Sequence, residues 1–255
     1  MKRSTFAAGF IAVCAVVAIV TFASRDPSEA ESRPGPVDYG RRLMTQTFAE
    51  IGPEVPDPSR RYAGNNLACQ NCHLDGGTNA DGLPLTGAYK TYPKLHERDR
   101  RVISLIERVN ECMTHSMNGR TLPEGSREMT ALLAYLRSLA DGPSQRPAPA
   151  EKAPDAADRE RGAKVFATVC AACHQSDGLG KRRGLPGDGR GYEFPPLWGP
   201  DSFNAAAGMN DDRNIVSFVR RNMPRGIDPA HPQLTWQEAW DVAAYVRSQP
   251  RPALR

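Results

Sequence analysis

The 255 residues carry 33 Lys and Arg against 29 Asp and Glu, a formal net charge of +4. That surplus is too small to predict a nucleic-acid partner, and no basic tract is interleaved with aromatics as a strand-binding groove requires. The length excludes a large multidomain assembly but leaves room for two domains of roughly 100 residues.

The chain opens with Lys2 and Arg3, then runs uncharged from Ser4 to Ser24 around an apolar stretch from Phe6 to Ala23. Residues 1–30 therefore read as an export signal, which predicts a periplasmic protein. Thr21-Phe22-Ala23 offers a cleavage site. The apolar length also suits a short span, so a retained N-terminal anchor to the inner membrane is the alternative and the one membrane contact expected. Cys14 lies inside the apolar run and reads as inert filler.

Beyond the signal, Cys69-Gln70-Asn71-Cys72-His73 returns as Cys170-Ala171-Ala172-Cys173-His174. Each pentapeptide fits the c-type haem attachment pattern, in which two thiols bond the porphyrin vinyls and the adjoining His takes the iron. Two covalent haems are expected, on Cys69 and Cys72 with His73, and on Cys170 and Cys173 with His174. A zinc site or a redox C-x-x-C pair needs no His after the second Cys, let alone twice.

The duplication predicts two domains, 36–140 and 156–252. Between them, 141–155 reads DGPSQRPAPAEKAPD, a Pro/Ala-rich, solvated linker. Helical period dominates both halves. Gly40, Leu43, Met44, Thr47 and Ile51 share one face, as do Met129, Leu132, Leu133, Leu136 and Leu139. Val102, Leu105, Ile106, Val109 and Cys112 or Met113 form another. In the second half, Gly162, Phe166, Val169 and Cys173 make one stripe and Trp236, Ala239, Trp240, Ala243 and Val246 a second, with Thr235 to Glu238 reading as a capping box.

This order of helix, haem motif, irregular middle and closing helix resembles the class I cytochromes c. The resemblance implies an all-α fold of two tandem domains, each built around one haem, with a glycine of the first helix admitting an aromatic of the last. Gly40 with Tyr135, and Gly162 with Tyr245 or Trp240, are the candidate pairs.

The two halves differ in their second axial ligand. Met223, in Asn222-Met223-Pro224, lies 49 residues beyond His174 and would give a His/Met haem of raised potential; Met209 and His231 are rivals. The first half has no Met-Pro. Cys112, 39 residues past His73, reads either as a buried apolar filler or as a ligand, and His115 is the more conventional ligand.

A narrower likeness lies in Tyr62 through Asp75, in Arg108-Val109-Asn110-Glu111-Cys112 with Ser116 through Arg120, in Pro195 through Asn204 and in Ala239 through Val246. These segments resemble the dihaem, tetrathionate-forming thiosulfate dehydrogenases. The resemblance implies that haem 1 is catalytic, that Cys112 is its distal thiolate, and that electrons run on to haem 2. The substrate would be thiosulfate, the product tetrathionate, and the acceptor a cytochrome c or similar periplasmic carrier. One departure stands out: the family commonly has Arg three residues after the ligand Cys, where this chain has His115. A second family Arg corresponds to Arg98, within a run of Lys90, Lys94, Arg98, Arg100 and Arg101 against Glu97 and Asp99. Cys112, Arg98 and His115 are thus the candidate catalytic residues. A dihaem electron carrier without a substrate, and a haem-based sulfur-transfer subunit that needs a carrier protein, are the alternative readings.

Overall fold

The structure, a computed structural model, describes residues 34–96, 100–142, 151–152 and 155–254. Residues 1–30, read from sequence as an export signal, and Cys14 within them lie outside the described residues, as does Arg98. No helix among the described residues is long and apolar enough to cross a membrane.

Six longer helices carry the fold: α1 Pro36–Thr45, α2 Leu105–His115, α3 Arg127–Ser138, α4 Arg159–Val165, α5 Asp212–Asn222 and α6 Trp236–Ser248. Five begin at side chains that satisfy the free N–H groups of a first turn. Ser104 accepts from Glu107 N while Glu107 Oε2 accepts from Ser104 N, a reciprocal box that starts α2. Ser126, Asp158 and Asp211 cap α3, α4 and α5. Thr235 and Glu238 form the expected box at α6.

In each half the first helix packs on the last at a glycine. A Cβ on Gly40 would lie 2.0 Å from Ala131 O and 2.7 Å from Tyr135 Cβ, so only glycine allows α1 this close to α3. A Cβ on Gly162 would meet Asp241 O at 2.0 Å and Tyr245 Cβ at 2.9 Å. Tyr245, not Trp240, is therefore the aromatic admitted there. It joins Phe166 and Trp198 in a cluster with ring centroids 4.9–5.8 Å apart. Trp240 instead donates from Nε1 to the carbonyl of Glu151, pinning the far end of the Pro/Ala-rich stretch to α6.

The structure departs from the sequence reading in three places. The fold is mostly helical but not all-α: β1 Lys94–His96 pairs antiparallel with β2 Arg101–Ile103, and β3 Lys181–Arg182 with β4 Tyr192–Phe194. Val102 belongs to β2 and is 63% exposed, because the Ser104 cap starts the helix after it. The stripe from Gly40 to Ile51 breaks at Gln46 (φ −138°), which frees Thr47 Oγ1 to accept the Cys69 N–H at 3.1 Å.

The described residues make one compact unit. Arg182 bridges the halves, pairing with Glu54 at 2.9 Å and Asp201 at 3.1 Å. Asn66 donates to the same two carboxylates, Gly189 N–H reaches Glu54 Oε2 at 3.0 Å, and the Tyr192 hydroxyl donates to Asp201 at 2.8 Å.

Candidate functional site

Cys69 opens and Cys72 closes a short 3₁₀ turn, Cys69–Asn71, held by Asn71 Oδ1 accepting the Ala68 N–H at 2.6 Å. Cys69, Cys72 and His73 line a cavity of about 310 Å³. Its wall takes one face of α2: Leu105, Arg108, Val109, Cys112, Met113 and Ser116, residues three and four apart. Tyr92 and Lys94 add to it from the hairpin side. Cys112 thus shares a cavity with His73, which a thioether or thiolate ligand for the same iron requires.

The motif residues fit a covalent haem better than the bland alternatives. His73 Nδ1 lies 2.6 Å from Leu83 O. A carbonyl can only accept, so Nδ1 carries the proton and Nε2 keeps its lone pair for a metal. Burial holds the imidazole below its ordinary pKa, hence neutral and ligand-competent. Burial, with Cys112 nearby, pushes the Cys69 thiol up to about 11 and the Cys72 thiol up to about 12. A redox C-x-x-C site needs the opposite, a thiol pKa brought down toward neutrality. Among the described residues no three His, Cys, Asp or Glu side chains converge as a metal-ion cage, which is what zinc would need.

The second motif follows a π turn, Phe166–Cys170, that widens the end of α4. Cys170, Cys173 and His174 line a larger cavity of about 820 Å³, with Ile215, Phe218 and Val219 of α5 and Val242 and Val246 of α6. His174 is buried, and its Nδ1 donates to Pro195 O at 2.8 Å, so Nε2 is again left free. Burial lowers its pKa and raises that of Cys170 to about 11.

Both candidate methionines, Met209 and Met223, reach this cavity. They differ in their neighbours: Met209 packs on the apolar core with Ile215 and Val216, whereas Met223 stands outside that cluster. Its position is fixed by Asn222, whose side chain donates to Phe218 O at 3.0 Å and Asp81 O at 2.9 Å. His231 is bound to Asp228 at the surface, 84% exposed, and takes no part in the cavity.

Arg108 was not singled out from sequence, yet it stands on the cavity wall one turn before Cys112. Its pKa is raised above the ordinary guanidinium value, chiefly by the Cys112 sulfur; burial opposes that, and Tyr92 and Glu111 reinforce it. The signal was available: a helical wheel anchored on Cys112 puts position 108 on the same face. His115 is absent from the wall, although its carbonyl accepts the Asn204 N–H at 3.1 Å. Phe203, Leu67, Ala68, Asn71 and Cys72 line both cavities, which therefore share a partition.

Residues 60–144 match the family described as SoxA/TsdA, cytochrome c domain, and residues 159–250 match Cytochrome c. The chain is 38% identical over 226 residues to a thiosulfate dehydrogenase of Allochromatium vinosum, covering 84% of this chain and 77% of the relative. It is 39% identical over 221 residues to that of Stutzerimonas stutzeri, covering 84% and 69%. A solved thiosulfate dehydrogenase (TsdBA) from Marichromatium purpuratum superposes with a TM-score of 0.73 at 32% identity, covering 87% of this chain and 48% of that one. The chain thus spans about half the length of the solved protein.

Proposed function

Because the chain belongs to the thiosulfate dehydrogenase family, we propose that it joins two thiosulfates into tetrathionate in the smaller cavity, with His73 and Cys112 as axial ligands of haem 1 and His174 and Met223 as those of haem 2. The observation that carries this reading is that Cys112 and Arg108 share one cavity with His73. When bound, the two haems each supply a one-electron acceptor, which matches the two electrons released per tetrathionate.

The rest falls to side chains. Two dianions must meet, and their repulsion is the main electrostatic obstacle. Arg108 and Lys94 bring positive charge to the cavity, and Arg98 is the further cation proposed from sequence. The part that a family Arg at the position of His115 would play is assigned here to Arg108.

Cys112 Sγ, taken as the thiolate, forms a bond to the outer sulfur of the first thiosulfate with loss of two electrons, for which the two bound haems would be the acceptors, leaving a thiosulfate adduct on Cys112. The outer sulfur of the second thiosulfate attacks that same sulfur, forming the central S–S bond of tetrathionate and releasing the Cys112 thiolate. No proton is gained or lost in either step. A permanently charged guanidinium therefore suits this site better than a titrating imidazole.

The export signal supports a periplasmic location, with a cytochrome c or similar carrier as acceptor. Anaerobic mixing with thiosulfate alone tests the whole reading. Reduction of both haems with stoichiometric tetrathionate is expected. A protein that stays oxidised is an electron carrier, and one that reacts only when a carrier protein is added is a sulfur-transfer subunit.

A further inference from the structure

The helix that carries Cys112 ends three residues after it, and Asn204 of the other half closes that end together with Asn65 of its own half. The last carbonyls of any α-helix lack intrahelical donors, so each must find a partner elsewhere. Cys112 O accepts from Ser116 N and Met117 N, and Met113 O accepts from Gly119 N, all at 2.9 Å. Those bonds are local.

The next three are not. Thr114 O accepts from Asn204 Nδ2 at 2.8 Å, and His115 O from Asn204 N at 3.1 Å. Ser116 O accepts from Asn65 Nδ2 at 2.9 Å, and that amide also reaches Ser202 O at 3.2 Å. Asn65 and Asn204 are both fully buried at 0% exposure, so no water stands ready to replace them. Ala206 N donates to Asn204 Oδ1 at 3.0 Å, which fixes the amide with its NH₂ toward Thr114. One residue of the second half thus supplies donors to two consecutive carbonyls of the turn that follows Cys112.

We infer that Asn204 is a positioning residue for the haem 1 site: it holds the last turn of α2, and with it Cys112, in the cavity that contains His73. Helix ends fray from the terminus inward, and this terminus lies one turn from the sulfur. The site of the first half is therefore complete only when the second half is docked on it. The inference rests on the reading of Cys112 as distal ligand.

The test is Asn204→Asp in the full-length dihaem protein. The substitution keeps the size of the side chain but faces Thr114 O with a second acceptor. Two haems per chain and an unaltered haem 2 spectrum are expected. Electron paramagnetic resonance of the oxidised protein should show haem 1 divided between thiolate-ligated and other forms, with kcat reduced about ten-fold and KM little changed. If the Asp variant does not accumulate, Asn204→Ala takes its place; it keeps the backbone bond to His115 O and should show the same division to a smaller extent. A single, unchanged thiolate signal with only a lowered Tm, in whichever variant folds, overturns the inference and leaves Asn204 a structural residue. Absence of a thiolate signal in the unmodified protein overturns the Cys112 reading itself, a result distinct from any the Asn204 variants give.

Discussion

Both halves set a C-x-x-C-H motif beside a first helix packed on a last one, but they build the rest of the cavity wall differently. In the first half a helix supplies it, and the 3.6-residue period puts Arg108, Cys112 and Ser116 on one face at fixed spacing. In the second half α5 brings Ile215, Phe218 and Val219 with Arg221 at its end, and Met223 follows where that helix ends. A helix can present a sulfur and a cation one turn apart, which is what a reaction between anions requires. A loop thioether amid Ile215, Phe218 and Val219 would offer an iron one neutral ligand that, unlike a thiolate, cannot attack a thiosulfate, although Arg183, Arg221 and Arg225 line the rest of that cavity. On the proposed reading, the same scaffold yields a place for chemistry and a place for electron relay through the choice of wall.

The sharpest way to break this contrast is at Cys112. Cys112→Gly should keep both haems and His73 yet lower tetrathionate formation by a factor of about a thousand or more, as removal of a nucleophile does. Cys112→Met restores a sulfur ligand without a nucleophile and should stay nearly as slow. Near-normal turnover in the Met variant would make the two halves alike after all.

Arg108→Gln comes next. It should cost about ten- to a hundred-fold in kcat/KM, carried mainly by KM, in line with the loss of one charged hydrogen bond to an anion. His115→Gln serves as its control and should leave the thiosulfate KM and its pH profile where they were. A shift of that profile would return the role to His115.

Met223→Gly should abolish the weak charge-transfer absorption of a Met-ligated ferric haem and slow electron exit, with substrate binding intact. Met209→Leu should leave the band in place. The opposite pattern would exchange the two assignments.

The smallest effect on turnover is expected at the join. Burial alone would raise the Glu54 carboxyl, but the N–H groups of Gly189 and Gly187 and the Arg182 guanidinium overcome that and hold its pKa below the ordinary value. A depressed carboxylate contributes stability above its unfolded pKa and loses it as pH falls through the folded one. Glu54→Gln should therefore cost about 2 kcal/mol at neutral pH. Chemical denaturation should show that difference shrinking as the solution is acidified below the ordinary carboxylate range.

What could be read from the residues alone was whatever is local. The haem motifs, the Thr235 cap and the glycines of α1 and α4 each depend on a few neighbours or on one period. The break at Gln46 was hidden because the apolar stripe continues through it, the chain turning to let Thr47 bind Cys69. The hairpin of β1 and β2 was hidden by charge, since Lys94 through Arg101 reads as a solvated run. The join between halves left no trace at all: Glu54, Arg182 and Asp201 are far apart in the chain, and no spacing rule connects them. Arg108 is legible from its spacing to Cys112, but a cation inside an apolar stripe reads as an exception to the stripe rather than as part of a site.

Phe203 lines both cavities, so no change at this position is private to one of them. A smaller ring or an aliphatic chain there alters, in one stroke, the cavity proposed to take substrate and the one proposed to pass electrons on. Its inherited substitutions must then be judged by their combined effect on capture and discharge, and a change that helps one while harming the other needs a compensating change elsewhere. The two halves, although they look like copies joined end to end, share this ring as they share Leu67, Ala68, Asn71 and Cys72, and a change in the partition reaches both.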